Sequence, residues 1–164
     1  MEDTLIQNAQ AFASRHRLQL AERLGFGIHG IVFIAEGNSK AGKTAVKVHR
    51  YVEPCLRERA VYERLKEAGV SRILEFHVPQ LIRFDEELSI IEMTIVTRPF
   101  VLDFAGAYLD APPNFPDVTW IEWEAEKREQ FAARWPKVQA VLEALEELDI
   151  HMVDVSPGNI AFLD

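Results

Sequence analysis

The spacing of apolar residues changes within the first fifty residues of the chain. Leu5, Ala9 and Phe12 fall on one face when residues 3–16 are placed on a helix, so this pattern predicts an amphipathic helix. From Leu18 onward, apolar and polar residues alternate as they do in half-buried strands. The start of the chain therefore predicts one helix followed by strands.

Further strands and a second helix are predicted before residue 100. Pro54 suits the first turn of that helix, and Gly69 stops it. The segments, in chain order, are the strands "LQLAERLGFG", "GIVFIAEG" and "TAVKVHR", the helix "CLRERAVYERLKEAG", and two strands within "HVPQLIRFDEELSIIEMTIV". The predicted order after the leading helix is ββ-β-α-β-β.

The second half of the chain has a different composition. Four prolines between Arg98 and Val118 predict a linker or hinge. Two helices are predicted beyond it, and the second, "PKVQAVLEALEELDI", carries an apolar stripe typical of a buried face. The prediction is an α+β fold with a helix at 1–17, a sheet-containing unit at 18–100, and a hinge with helices at 101–164.

Composition limits the partners that the chain can bind. A net charge of −8 over 164 residues disfavours nucleic acid and anionic membranes as partners. No apolar run approaches the about 18 residues that span a bilayer, and the start "MEDTLIQNAQ" lacks the pattern of a signal peptide. A single cysteine, Cys55, suits a reducing compartment. These features predict a cytoplasmic protein.

Two neighbouring glycine clusters both suggest phosphate binding. The downstream cluster, "GNSKAGKT", fits the P-loop pattern G-x-x-x-x-G-K-[ST] and would use Lys43 and Thr44. A P-loop needs a helix directly after the loop, but the residues after Lys43 alternate and are β-branched. A hairpin turn is the favoured interpretation, and a P-loop nucleotidase stays as the less favoured alternative.

The upstream cluster, "GFGIHG", lies between two predicted strands. Glycines there allow a hairpin to close over a nucleotide without side-chain obstruction. An Ala-Val-Lys triplet ends at Lys47 one strand later, and Glu58 lies on the following helix. The spacing G-x-G-x-x-G-x-V, formed by Gly25, Gly27, Gly30 and Val32, together with these residues resembles the start of the protein-kinase-like superfamily.

This resemblance implies an antiparallel-sheet N-lobe with one helix and a mostly helical C-lobe. It implies that the glycines and Val32 cover ATP, and that Lys47 contacts its phosphates while paired with Glu58. Glu63 is the runner-up for that partner. Residues between Met93 and Phe100 would face the adenine through backbone groups.

The segment "DVSPGNI" extends the resemblance into the second half. Asn159 follows Asp154 by five residues, which is the spacing of the family's catalytic loop. The resemblance implies that Asp154 is the base for an attacking hydroxyl and that Asn159 is a Mg²⁺ ligand. The form D-x-x-P-G-N-I is most similar to the small-molecule and lipopolysaccharide-kinase branch.

The resemblance ends soon after this loop. The family carries a second metal-binding aspartate, in a D-F-G or D-F-D motif, farther downstream than Asp164. The expectation is therefore a kinase-like chain truncated after the catalytic loop, either an ATP-binding phosphotransferase of unknown acceptor or a non-catalytic pseudokinase. Uncovered apolar surface at Ile160 and Phe162 would then favour a homodimer or a regulatory protein partner.

Overall fold

The computed structural model describes residues 1–37 and 42–163, which form a mixed α+β fold. Most of the predicted turn in "NSKAGK" and the terminal Asp164 lie outside the described residues. Every helix within the described ranges is too short or too polar to cross a bilayer.

The first hundred residues follow the predicted order, with two additional short strands after the second helix. The elements are α1 (Glu2–His16), β1 (Gln19–Phe26), β2 (Gly30–Glu36), β3 (Lys43–His49), α2 (Val52–Glu67), β4 (Arg72–Ile73), β5 (Phe76–His77), β6 (Leu81–Asp85) and β7 (Ile90–Thr94). The order of the main elements is confirmed because each one carries a long periodic apolar pattern.

The second half contains short strands before and after its helices. The elements are β8 (Phe100–Val101), β9 (Ala107–Leu109), α3 (Asp117–Phe131), α4 (Trp135–Glu146), β10 (Ile150–Met152) and β11 (Ile160–Ala161). A 3₁₀ turn at Ala132–Arg134 connects α3 to α4.

The main sheet is antiparallel, with strand order β1-β2-β3-β7-β6. Strand β3 is central and buried on both faces. Helix α1 packs Leu5 and Phe12 on one face, in a cluster with Val46 and Val48 of β3. Helix α2 covers the opposite face, so residues 1–17 complete the core of the sheet rather than form a separate unit.

A linker was predicted between Arg98 and Val118, and this prediction is wrong for the first half of that range, which contains two paired strands. Strand β8 pairs with β11, and β9 pairs with β10, so this region joins the end of the chain. Phe104 and Ala105 between these strands are fully buried. Strands of two and three residues carry too little alternation to be recognised. The four prolines of this region therefore favoured a linker in the sequence analysis.

The expected uncovered surface at the end of the chain is also wrong. Ile160 is fully buried in the main core cluster. The Phe162 ring packs edge-on against Phe76 at a centroid distance of 5.2 Å, and the Arg134 guanidinium lies 4.9 Å from the Phe162 ring centroid. The argument for a homodimer through this surface therefore loses its basis.

Candidate functional site

The nine predicted site residues line one cavity of about 700 Å³. This volume lies within the range of small-molecule sites, about 300–1,000 Å³. The residues come from the β1–β2 hairpin, β3, α2, β7 and the segment after β10, and they are Gly25, Gly27, Gly30, Val32, Lys47, Glu58, Met93, Asp154 and Asn159. Residues far apart in the sequence therefore meet at a single site.

The β1–β2 hairpin uses its glycines for two different reasons. A Cβ at Gly25 or Gly27 would meet no atom within 4 Å, so these glycines leave open space beside the cavity. Gly30 has a φ of +153°, and a Cβ there would overlap the carbonyl oxygen of Val48. Strand packing alone requires glycine at position 30, whereas positions 25 and 27 leave room for a ligand.

The tip of this hairpin reaches the segment after β10. His29 Nε2 lies 3.7 Å from Asp154 Oδ2. The side chain of His29 is 22% exposed, so it is half-buried at the tip of the hairpin. The hairpin and Asp154 therefore lie on facing sides of the cavity.

A buried ion pair forms the inner wall of the cavity. Lys47 Nζ lies 2.8 Å from Glu58 Oε1, and their side chains are 8% and 0% exposed. The runner-up, Glu63, is partly exposed and pairs with Arg59 instead, at 2.8 Å. Tyr62, one helical turn after Glu58, is buried, and this anchors the face of α2 that carries the pair.

Three separate groups donate to the Glu58 carboxylate. Besides Lys47, His49 Nε2 lies 2.7 Å from Oε1, and the backbone N–H of Phe104 donates to Oε2 at 2.9 Å. Burial by itself would raise the pKa of Glu58, but the Lys47 charge and the His49 hydrogen bond lower it to about 2. The carboxylate therefore stays ionised in the interior.

Lys47 also stays charged, although burial opposes its charge. Glu58 and Asp103 raise the pKa of Lys47 above its usual value by their negative charges. The Lys47 ammonium lies between the two carboxylates, with Asp103 Oδ1 at 3.0 Å. A fixed positive charge at the cavity wall is the feature that an anionic ligand needs in a chain with a net charge of −8.

Asp154 and Asn159 lie on one turn between β10 and β11. Asn159 is buried, and its Nδ2 donates to the Asp154 carbonyl oxygen at 2.7 Å. Its Oδ1 accepts from the backbone N–H and the hydroxyl of Ser156, at 2.7 and 2.9 Å. The Asp154 side chain is 49% exposed, so its carboxylate remains accessible from outside.

Sequence reasoning missed Asp103, which lines the same cavity. It begins the string Asp-Phe-Ala-Gly at residues 103–106, directly after β8. The string is similar to the D-F-G motif, but it lies upstream of the "DVSPGNI" segment, where no such motif was expected. Only the pairing of β8 with β11 brings it to the site.

The oxygen donors in the cavity fit a cation that is also held by a ligand's phosphates. Mg²⁺ is usually bound by one or two carboxylates together with substrate phosphates and waters. Asp103 and Asp154 offer such oxygens, whereas the Asn159 amide oxygen is engaged by Ser156. Within the described residues, no group of three or more acidic, histidine or cysteine side chains forms a metal centre by itself.

The cavity also contains a buried hydroxyl without a partner. Tyr62 is 1% exposed and lines the cavity, and its hydroxyl makes no hydrogen bond in the described structure. The backbone of Asp103 lies near this hydroxyl. Buried hydroxyl groups are normally paired, so this one indicates room for a polar ligand or water.

The P-loop alternative lacks its structural context. Lys43 and Thr44 begin strand β3, where a P-loop would need a helix. Lys43 Nζ lies 3.5 Å from Glu36 on the neighbouring strand, and the buried Thr44 hydroxyl donates to Glu92 at 2.9 Å. Neither residue lines the cavity.

No family model matches the chain, and no curated protein is detectably similar to it.

An added methyl group should affect the free energy of unfolding differently at Gly30 and at Gly27. Gly30→Ala should lower the free energy of unfolding by about 2 kcal/mol or more, because the methyl group meets the Val48 carbonyl. Gly27→Ala should change it by less than about 0.5 kcal/mol. Urea unfolding followed by circular dichroism measures both, and equal losses would contradict the assignment.

The low pKa of Glu58 predicts a loss of stability in acid. Its pKa is about 2 in the folded chain against 4.5 ordinarily, so its contribution is complete above pH 4.5 and falls as pH approaches 2. Glu58→Gln should therefore cost about 3 kcal/mol at pH 7, and its difference from wild type should shrink toward pH 3. Urea unfolding between pH 7 and pH 3 measures this difference.

Glu63→Gln is the matched control for this measurement. Glu63 lies on the same helix but is partly exposed and pairs only at the surface. Its unfolding should follow the wild-type pH dependence throughout. A constant gap between wild type and Glu58→Gln across the range would contradict the role of the buried charge.

Proposed function

We propose that this chain is a kinase-like protein that binds ATP with Mg²⁺ and transfers a phosphoryl group to an acceptor hydroxyl. The observation that carries the proposal is the buried Lys47–Glu58 ion pair at the wall of the cavity beside the glycine hairpin. A buried lysine–carboxylate pair contributes little net stability, because desolvation of the two charges offsets their attraction. Its position at a cavity therefore favours a functional role, and phosphate binding is one such role.

The surrounding architecture agrees with this proposal. An antiparallel sheet with α2 packed against it corresponds to the N-lobe that the resemblance implies, with β1 and β2 as the glycine hairpin. Helices α3 and α4 correspond to a minimal C-lobe, and the turn from Asp154 to Asn159 corresponds to its catalytic loop. The form of this turn favours a small-molecule kinase.

The nucleotide would lie between the glycine hairpin and the wall formed by β3 and β7. Val32, Ala45 and Met93 provide apolar contacts for a base, and the backbone of Ile95 and Val96 follows at the cavity edge. Lys47 would contact phosphate oxygens while Glu58 keeps its ammonium in place. The hairpin glycines allow backbone N–H groups to approach the same phosphates.

Phosphoryl transfer would use Asp154 as the base. Its exposed carboxylate would accept the proton of the attacking hydroxyl, whose oxygen bonds to the terminal phosphorus as the bond to the β–γ bridging oxygen breaks and ADP leaves. Mg²⁺, when bound, neutralises charge on the phosphates. Asn159 holds the turn through its bond to the Asp154 carbonyl.

A non-catalytic ATP-binding module is the second candidate. It is favoured by the Asn159 amide oxygen, which already accepts two hydrogen bonds from Ser156. Those bonds must rearrange before this oxygen can ligate a cation. Binding and transfer therefore need separate experiments.

Lys47→Met is expected to weaken ATP binding at least about tenfold, because it removes a charge-assisted contact to phosphate. Isothermal calorimetry measures the affinity, and circular dichroism verifies the fold of each variant. Lys43→Met is the matched control, since Lys43 lies on the same strand with an exposed side chain. Loss of binding only in Lys43→Met, or no binding by wild type, would overturn the proposal.

Asp154→Asn is expected to leave ATP affinity unchanged and to lower ADP formation by about 10²–10⁴-fold. A panel of hydroxyl-bearing small molecules serves as acceptors, and ADP release is the measurement. Asp149→Asn is the control, because Asp149 is exposed and lies outside the cavity. ATP binding with no ADP formation above the Asp154→Asn background would favour the non-catalytic module.

A further inference from the structure

We propose that Asp103 is the second cation-binding carboxylate of this site, supplied from upstream of the "DVSPGNI" segment in sequence but beside it in space. The proposal rests on the proposed function, since the cation would be held together with the nucleotide phosphates. It replaces the expectation that such a carboxylate must come from beyond Asn159.

Strand pairing places Asp103 next to Asn159. In the β8–β11 ladder, Val101 is opposite Ile160, and the Leu102 N–H donates to the Asn159 carbonyl oxygen at 2.9 Å. Asp103 is the next residue along this edge. The backbone of Asp103 is thereby brought beside that of Asn159 at the end of one pair of strands.

The Asp103 carboxylate faces the cavity rather than solvent alone. Its Oδ1 lies 3.0 Å from Lys47 Nζ, and its side chain remains 30% exposed, so a ligand can reach it. Its backbone φ is +68°, a left-handed conformation that aspartate and asparagine adopt more readily than most residues. Lys47 is shared between Glu58 and Asp103, so its single positive charge leaves one negative charge that a bound cation would balance.

The residues after Asp103 connect the other parts of the site. Phe104 is fully buried, donates its N–H to Glu58, and packs edge-on against Tyr62 at 5.4 Å between ring centroids. Gly106 lies so close to Asp154 that a Cβ would be 3.0 Å from the Asp154 Cβ. Residues 103–106 are therefore held simultaneously by α2 and by the turn that carries Asp154.

An independent observation indicates that a ligand belongs beside Asp103. The hydroxyl of Tyr62 is buried, lines the cavity and lacks a hydrogen-bond partner in the described structure. It lies near the Asp103 backbone. A phosphate oxygen or a cation-bound water at this position would satisfy it.

The spatial order matches the one that the resemblance implies, although the chain order differs. The family's Asp-Phe-Gly motif lies downstream of the catalytic loop, whereas here β8 and residues 103–106 precede α3, α4 and the loop. Strand β8 pairs with β11, which directly follows the loop, and β9 pairs with β10, which directly precedes it. The motif thus enters the same neighbourhood from a different point in the sequence.

The test compares ATP affinity with and without Mg²⁺ in Asp103→Asn. Asparagine keeps the size and tolerates the left-handed backbone. We expect the variant to lose the increase in affinity that Mg²⁺ gives wild type, by about 10–100-fold. Its affinity in EDTA should be unchanged or higher, because a negative charge facing the triphosphate has been removed. Calorimetry measures both affinities, and Mn²⁺ electron paramagnetic resonance with ATP measures the bound cation directly.

Asp110→Asn is the matched control. Asp110 also has a left-handed φ, of +71°, and pairs with a cation, Arg64, at 2.9 Å, but it lies outside the cavity. It should behave as wild type in every measurement.

Three results would overturn the assignment of Asp103. Full Mg²⁺ enhancement in Asp103→Asn would overturn it while leaving the proposed ATP binding intact. Equal weakening with Mg²⁺ and in EDTA would show that Asp103 only supports the structure. Failure of wild type to bind ATP under either condition would overturn both proposals.

Discussion

The buried ion pair between Lys47 and Glu58 is the constraint on which the rest of the structure depends. Placing two charges in the interior costs several kcal/mol of hydration each, so both must be paired and hydrogen-bonded. Glu58 meets this requirement with Lys47 and His49 from β3 and with the amide of Phe104 from the second half of the chain. One carboxylate thereby ties the sheet, α2 and the β8–β9 region together.

The same pair supplies the positive charge that the proposed anion binding requires in a strongly acidic chain. Lys47 lies between Glu58 and Asp103, so its charge stays fixed at the cavity wall when no ligand is present. Charges on the outer surface are screened beyond about 8 Å at physiological salt, whereas a buried ammonium is screened much less. The proposed anion binding therefore depends on this local positive charge and not on the net charge of −8.

Much of the sheet could be predicted from sequence because its elements repeat their pattern over five or more residues. Strand β3 alternates clearly and α2 carries a helical apolar period, so both elements could be predicted, while the pairing of Lys47 with Glu58 was implied by the resemblance. The two-residue strand β8 and the three-residue strand β9 have no such repeat. Their partners lie about sixty positions away for β8 and about forty for β9, which no local pattern contains, and this is why Asp103 was missed.

The expectation of a truncated site came from treating motif order along the chain as a physical requirement. A site requires only that its groups meet, and an antiparallel ladder such as Val101 opposite Ile160 forms whichever strand comes first. The close contact of Gly106 with Asp154 and the bond from Leu102 to Asn159 depend on that ladder, not on the connections between its strands. The carboxylate sought downstream of Asn159 can therefore be present upstream, and a motif search restricted to one order cannot find it.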